Sequence, residues 1–192
     1  MKTRKTPIYT LLMAVAFSWA AQAAGSLSQN LYNCHWSVSE GRTVFVPPAN
    51  TKICQKMGTS LVYDSKAQTL YVCQSSVVRR AYQIAMGSNG VGKTTEGDRK
   101  TPVGQYALGR PRVSEEFGIF IPIAYPTAAQ RAKGYTGGDV GIHGPKRAFV
   151  CAGFLNVSIN WTAGCLAVAT DDQILELAKW MTAHPRAIIT IQ

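Results

Sequence analysis

The sequence predicts a mainly β fold with one helix packed on the sheet, α+β being the lesser alternative, and two observations carry that expectation. Short apolar runs bounded by turn residues recur from Ser60 to Ile123, the signature of strands. A single late segment repeats its apolar residues at helical spacing. In order, Leu61-Val62-Tyr63 and Leu70-Tyr71-Val72-Cys73 flank Asp64-Ser65-Lys66 and form a hairpin. Val77 to Met86 alternates partly and is a third strand. Gly87 to Gly104, with five glycines and Pro102, is a long loop. Gln105 to Leu108 and Phe117 to Ile123 are further strands, the latter bounded by Tyr125-Pro126, and Thr127 to Lys133 is a short helix. Thr170-Asp171-Asp172-Gln173 has the spacing of a capping box. Ile174, Leu175, Leu177, Ala178 and Met181 then recur at helical spacing until His184-Pro185 ends the helix. Ala187 to Ile191 is the last strand.

The chain of 192 residues begins with a targeting pattern. Lys2, Arg4 and Lys5 precede an apolar run from Ile8 to Ala20, and Ala21-Gln22-Ala23 places small residues where a signal peptidase cuts. The run is shorter than the ~20 residues of a membrane span, so residues 1–23 are expected to be a cleaved signal. No integral membrane segment is expected after cleavage, and the protein should be periplasmic or secreted. Residues 24–59, polar and interrupted by Pro47-Pro48, are expected to be an extension, and residues 60–192 one catalytic domain. The formal charge of +10 falls to +7 when Lys2, Arg4 and Lys5 leave. A basic exported chain suits an anionic wall polymer or membrane surface. Nucleic acid is not expected, because Lys and Arg are scattered without interleaved aromatics.

All five cysteines, Cys34, Cys54, Cys73, Cys151 and Cys165, follow the signal and meet an oxidising compartment. An odd count leaves a thiol over. The expected pairs are Cys34–Cys54, closing a loop in the extension, and Cys73–Cys151. Pairing of Cys151 with Cys165 is the alternative that would remove a reactive thiol. No cysteine or histidine spacing suits a metal, so neither metal nor other cofactor is expected.

Two strings invite a chemical reading. Gly87-Ser88-Asn89-Gly90-Val91-Gly92-Lys93-Thr94 matches a phosphate-binding loop letter for letter. That mechanism needs a helix starting at the lysine, and Thr95 to Gly104 has two glycines, a proline and no apolar face, so no nucleotide is expected. The second string is a pair of glycine-marked sites, Gly141-Ile142-His143-Gly144 and Thr162-Ala163-Gly164-Cys165-Leu166. A thiol attacks as thiolate, and a nearby imidazole can take its proton. A satisfied core imidazole and an inert buried thiol are the plain alternatives. His35 and His184 are read as surface or capping residues.

These motifs resemble those of the L,D-transpeptidases of the YkuD type. Ile142-His143-Gly144, then Thr162-x-Gly164-Cys165, is similar to the family signature, as are Gly97-Asp98-x-x-Thr101-Pro102-x-Gly104-x-Tyr106 and Tyr125-Pro126. The resemblance implies a mixed β-sandwich over residues 60–192 and peptidoglycan stem peptides as substrate. It implies Cys165 as nucleophile, His143 as base, the Gly144 carbonyl orienting the ring, Thr162 holding the turn, and Gly164 and Cys165 N–H groups as the oxyanion hole. Tyr125, Ile142, Trp161 and Ala163 are the substrate-binding residues it nominates. Ala163 and Ala167 stand where many members carry His and Arg. The expected activity is L,D-transpeptidation through a Cys165 thioester. Its alternatives are a hydrolase, acting as L,D-carboxypeptidase or on the peptidoglycan–lipoprotein link, and a wall-binding module without catalysis.

Overall fold

The computed structural model describes residues 51–192; the expected signal, Cys34 and most of the expected extension lie outside the described residues. Nine strands form one mixed sheet: β1 (Ser60–Asp64), β2 (Thr69–Gln74), β3 (Val77–Ala85), β4 (Gly104–Ala107), β5 (Arg112–Ser114), β6 (Gly118–Pro122), β7 (Gly141–His143), β8 (Leu166–Val168) and β9 (Ile188–Ile191). The helices are α1 (Ala128–Ala132) and α2 (Asp171–Ala183), with 3-10 turns at Thr51–Cys54 and Arg147–Val157. Strand order is β4-β9-β1-β2-β3-β8-β7-β6-β5. The sheet curls on itself: Gly109 N–H donates to the Pro122 carbonyl at 2.8 Å and Ala124 N–H to that of Ala107 at 3.0 Å, which ties the end of β4 to the end of β6. The mainly β fold expected from the sequence is thus present, as are the first hairpin, the third strand and both helices.

The core lies inside this curl. Leu61, Tyr63, Leu70, Ile84, Ile121, Ile142, Leu166, Ile189 and Ile191 meet Ile174, Leu177 and Met181 of α2. Thr170 caps α2 by accepting from Gln173 N–H at 3.4 Å. The Gln173 side chain reaches one residue further back than a capping box requires, to Ala169 N–H at 3.0 Å. His184 ends α2, its Nδ1 2.8 Å from the Trp180 carbonyl. Among the described residues no helix is long and apolar enough to cross a membrane.

Three features are missing from the sequence reading or contradict it. Strand β5 was not anticipated. The apolar string Arg147–Val157 forms 3-10 turns that leave Phe149, Phe154 and Leu155 exposed. Cys54 is bonded to Cys73, which overturns both expected pairs, Cys34–Cys54 and Cys73–Cys151. The cause is packing: the 3-10 turn Thr51–Cys54 lies on β2 and β3, and Cys54 is buried with Val62, Tyr71 and Ala81.

Candidate active site

The strand pair β7–β8 brings His143 and Cys165 together. Parallel strands need a long crossover, and the connection from Gly144 to Cys165 supplies it. Ile142 pairs with Leu166 and His143 with Ala167. One step back along this register sets Cys165 beside Gly141. Side chains alternate between the faces of a strand. Ile142 and Leu166 therefore enter the core, while His143 and Cys165 share the opposite face.

That face wraps the imidazole in aromatics. His143 is 1% exposed. Phe117 stacks on it with ring centroids 3.9 Å apart, and Trp161 meets it edge-on at 5.7 Å. Gly141 makes room, because a side chain there would run into the Phe120 ring. His143 Nδ1 lies 2.7 Å from the Gly144 carbonyl. A carbonyl only accepts, so Nδ1 carries the proton and Nε2 is the bare nitrogen. Burial pushes the imidazole down to about 4, against the opposing pull of the Gly144 hydrogen bond and Glu116, so the ring is neutral at ordinary pH.

Cys165 is the free thiol and is partly exposed. Its Sγ donates to the Asp139 carbonyl at 3.5 Å, and among the described residues it forms no hydrogen bond with His143. Asp139 holds a left-handed backbone (φ 48°), a conformation Asp tolerates better than most residues. Burial raises the thiol above its ordinary value, and Asp139 and Glu116 push the same way. The Gly141 N–H and the Lys93 ammonium pull it down without prevailing. The resting pair is therefore a neutral thiol and a neutral imidazole, able to pass a proton from Sγ to Nε2 once the thiol turns towards the ring.

The turn before Cys165 is pinned from within and from below. Thr162 Oγ1 donates to the Cys165 carbonyl at 2.7 Å and accepts from Gly164 N–H at 3.1 Å. Thr162 also exchanges backbone bonds with the 86–88 segment, through the Met86 carbonyl at 3.2 Å and Ser88 N–H at 2.9 Å. Gly164 (φ +132°) lies so close to the Lys100 carbonyl that a Cβ would sit 2.6 Å from it. Only glycine fits that approach.

Several nominated residues stand elsewhere than the resemblance implied. Tyr125 is buried, and its hydroxyl donates to the Lys93 and Thr136 carbonyls at 3.2 and 3.4 Å. Ile142 is fully buried in the core. Packing turns both side chains inward, whereas each was nominated for its neighbours in sequence. Trp161 remains at the site, its Nε1 donating to the Asn156 carbonyl at 2.8 Å, and Ala163 is exposed beside it. The Gly164 N–H is taken up by Thr162, which leaves the Cys165 N–H as the remaining assigned oxyanion donor. The string Gly87–Thr94 is followed by turns rather than a helix, so it lacks the helix that the phosphate-loop mechanism requires. Residues that sequence reasoning did not assign to the site are Asp139, Phe117 and Lys93. Lys93 lay inside the phosphate-loop string, while Asp139 and Phe117 carried no signal of their own. Among the described residues, no three His, Cys, Asp or Glu side chains converge as metal ligands.

Comparison with known proteins bears on this geometry. A family model for the YkuD L,D-transpeptidase catalytic domain matches residues 58–189. Among solved structures, the helical cell shape determining protein Pgp2 of Campylobacter jejuni superposes with a TM-score of 0.54 at 21% identity, over 74% of this chain and 53% of that one. Bd1075 of Bdellovibrio bacteriovorus gives 0.49 at 19%, over 71% and 49%. An L,D-transpeptidase of Xylanimonas cellulosilytica gives 0.42 at 17%, over 70% and 60%. The chain thus spans about half the length of the first two, and at 21% identity the likeness to Pgp2 is one of fold. No curated protein matches the sequence.

Proposed function

The chain belongs to the YkuD family of L,D-transpeptidase catalytic domains, and on that premise we propose that it is an exported cysteine enzyme that remodels peptidoglycan stem peptides by L,D-transpeptidation through a Cys165 thioester. The observation that carries the reading is a buried neutral imidazole with a bare Nε2, held on the same sheet face as a free thiol two register positions away. As Cys165 Sγ bonds to the carbonyl carbon at the L-centre of diaminopimelate, its proton passes to His143 Nε2. The Gly144 carbonyl holds the ring and favours the imidazolium that forms. The oxyanion takes the Cys165 N–H, an interaction whose loss typically costs ~2.7–4 kcal/mol. On collapse the bond to the following residue breaks, and its amine leaves with the proton from Nε2. An incoming amine then cleaves the thioester, giving its proton to His143, and the thiol is restored.

Hydrolysis by water in that second step is the second reading, and it rests on the Gly164-Cys165-Leu166-Ala167 form, which resembles the branch of the family that includes hydrolases. Ala167 is fully buried against Ala85, Val157 and Trp161, so a carboxylate-clamping cation has no room there. Digestion of peptidoglycan with the protein separates the two: new 3–3 cross-links support transfer, while stems trimmed to tripeptides or freed from lipoprotein support hydrolysis. A wall left unchanged by a protein whose Cys165 is reduced would refute both. The name of Pgp2 makes cell shape the phenotype to score in a deletion strain.

A further inference from the structure

Lys93 is a buried cation that the proposed chemistry leaves unused. Its side chain is 4% exposed, and its Nζ lies 2.9 Å from Asp98 Oδ1 and donates to the Thr95 carbonyl at 3.1 Å. Asp98 also accepts from the N–H groups of Thr94, Thr95 and Lys100 at 2.9, 3.1 and 3.0 Å. Burial pushes this carboxyl up, but the four donors win and hold it well below the usual carboxylate range. Asp98 is thus a fixed anchor, and Lys93 is fixed with it.

The Lys93 stem runs between the nucleophile turn and the loop ahead of β7. A Cβ on Gly164 would sit 3.7 Å from Lys93 Cδ, and one on Gly137 would sit 3.3 Å from Cε. The Tyr125 hydroxyl holds the Lys93 carbonyl from the core side. Burying an ammonium is costly, and an apolar side chain of similar size would often fill such a place with equal or greater stability. The charge therefore calls for a use beyond filling space.

We propose that Lys93 is a positioning residue for the reaction at Cys165: its stem supports the Thr162–Cys165 turn, and its ammonium, anchored by Asp98, supplies fixed positive charge beside the thiolate and oxyanion that form there. The inference rests on the reading of Cys165 as nucleophile. The other groups acting on the thiol fit this role. Asp139 and Glu116 oppose its ionisation, Glu116 being itself 3.3 Å from Lys146; His143 is neutral; and the Gly141 N–H assists. Lys93, paired with Asp98, is the cation that acts on the thiol against Asp139 and Glu116.

The test is the pH dependence of Cys165 alkylation by iodoacetamide in Lys93→Met, Lys93→Arg and wild type, with folding followed by circular dichroism. Met keeps the stem and removes the charge. The expected result is a folded Lys93→Met whose alkylation profile moves up by about one pH unit, which is about a tenfold slower reaction near neutrality. Lys93→Arg should restore most of it. A folded Lys93→Met with the wild-type profile overturns the proposal. If Lys93→Met does not fold, Lys93→Met/Asp98→Asn, which leaves no lone buried charge, is judged by the same profile. Alkylation needs no peptidoglycan, so the outcomes separate. An unchanged profile in a protein that still remodels peptidoglycan removes Lys93 alone, whereas a wild type inert towards peptidoglycan removes the proposed function.

Discussion

The two faces of the β7–β8 pair do opposite things with the same backbone. On one, Ile142 and Leu166 bury apolar surface against Ile174 of α2 and gain stability from it. On the other, His143 is buried as deeply, yet its ring is a base pushed down to about 4 by that burial. Alternation along three-residue strands places a stabilising contact and a costly one side by side. The stable face fixes the register, and the register sets the imidazole beside the thiol. The placement of the imidazole beside the thiol on one face is thus held by packing on the other.

Substitutions on the two faces should separate accordingly. Cys165→Ala should abolish covalent modification by a carbapenem altogether, with unchanged melting temperature, in an intact-mass experiment. His143→Ala should lower the turnover number by about 10²–10⁴, the usual worth of a positioned base, measured as release of the residue that follows diaminopimelate at saturating substrate. On the core side, Leu177→Ala in α2, which shares the core with Ile142 and Leu166, should cost about 2–5 kcal/mol in denaturant unfolding. The alkylation rate of its remaining folded protein should match wild type. A loss of thiol reactivity in folded Leu177→Ala would break the comparison.

The buried ring also predicts a pH effect on stability. Its folded value lies below its unfolded one, so the unfolded chain binds the proton first as pH falls. Stability should be fully present above about 6.5 and drop by about 3 kcal/mol as pH falls to about 4, at ~1.4 kcal/mol per unit. His143→Phe should remove that slope, as chemical denaturation at several pH values would show. The smallest effect belongs to neither face. Cys54→Ser with Cys73→Ser opens a bond between residues 19 apart and should cost about 3 kcal/mol or less, with acylation of the folded protein unaltered.

Much of this arrangement was legible in the sequence because its causes are local. Alternation around Asp64-Ser65-Lys66 determines the first hairpin, and Thr170 with the apolar spacing behind it determines α2. The glycines beside His143 and Cys165 mark close backbone approaches, and Gly164 indeed abuts the Lys100 carbonyl. What escaped is non-local. Strand β5 leaves Val113 85% exposed, so it carries no buried pattern and exists only by pairing with β6. Tyr125 looked like a site residue until packing turned its hydroxyl to the Lys93 and Thr136 carbonyls. Cys54 meets Cys73 because a 3-10 turn docks on β2, which no spacing announces. Lys93 sat in a string that suggested phosphate, and only the folded loop reveals Asp98 as its partner.

The most direct test of the central claim is to trap the intermediate. Wild type and Cys165→Ala are mixed with a disaccharide tetrapeptide, quenched in acid and digested with a protease, and the peptide carrying residue 165 is weighed. The account predicts a thioester on Cys165 with the mass of the disaccharide-tripeptide acyl group, absent from the variant. Turnover of the tetrapeptide by wild type without that adduct, or by Cys165→Ala at the same rate, would contradict it.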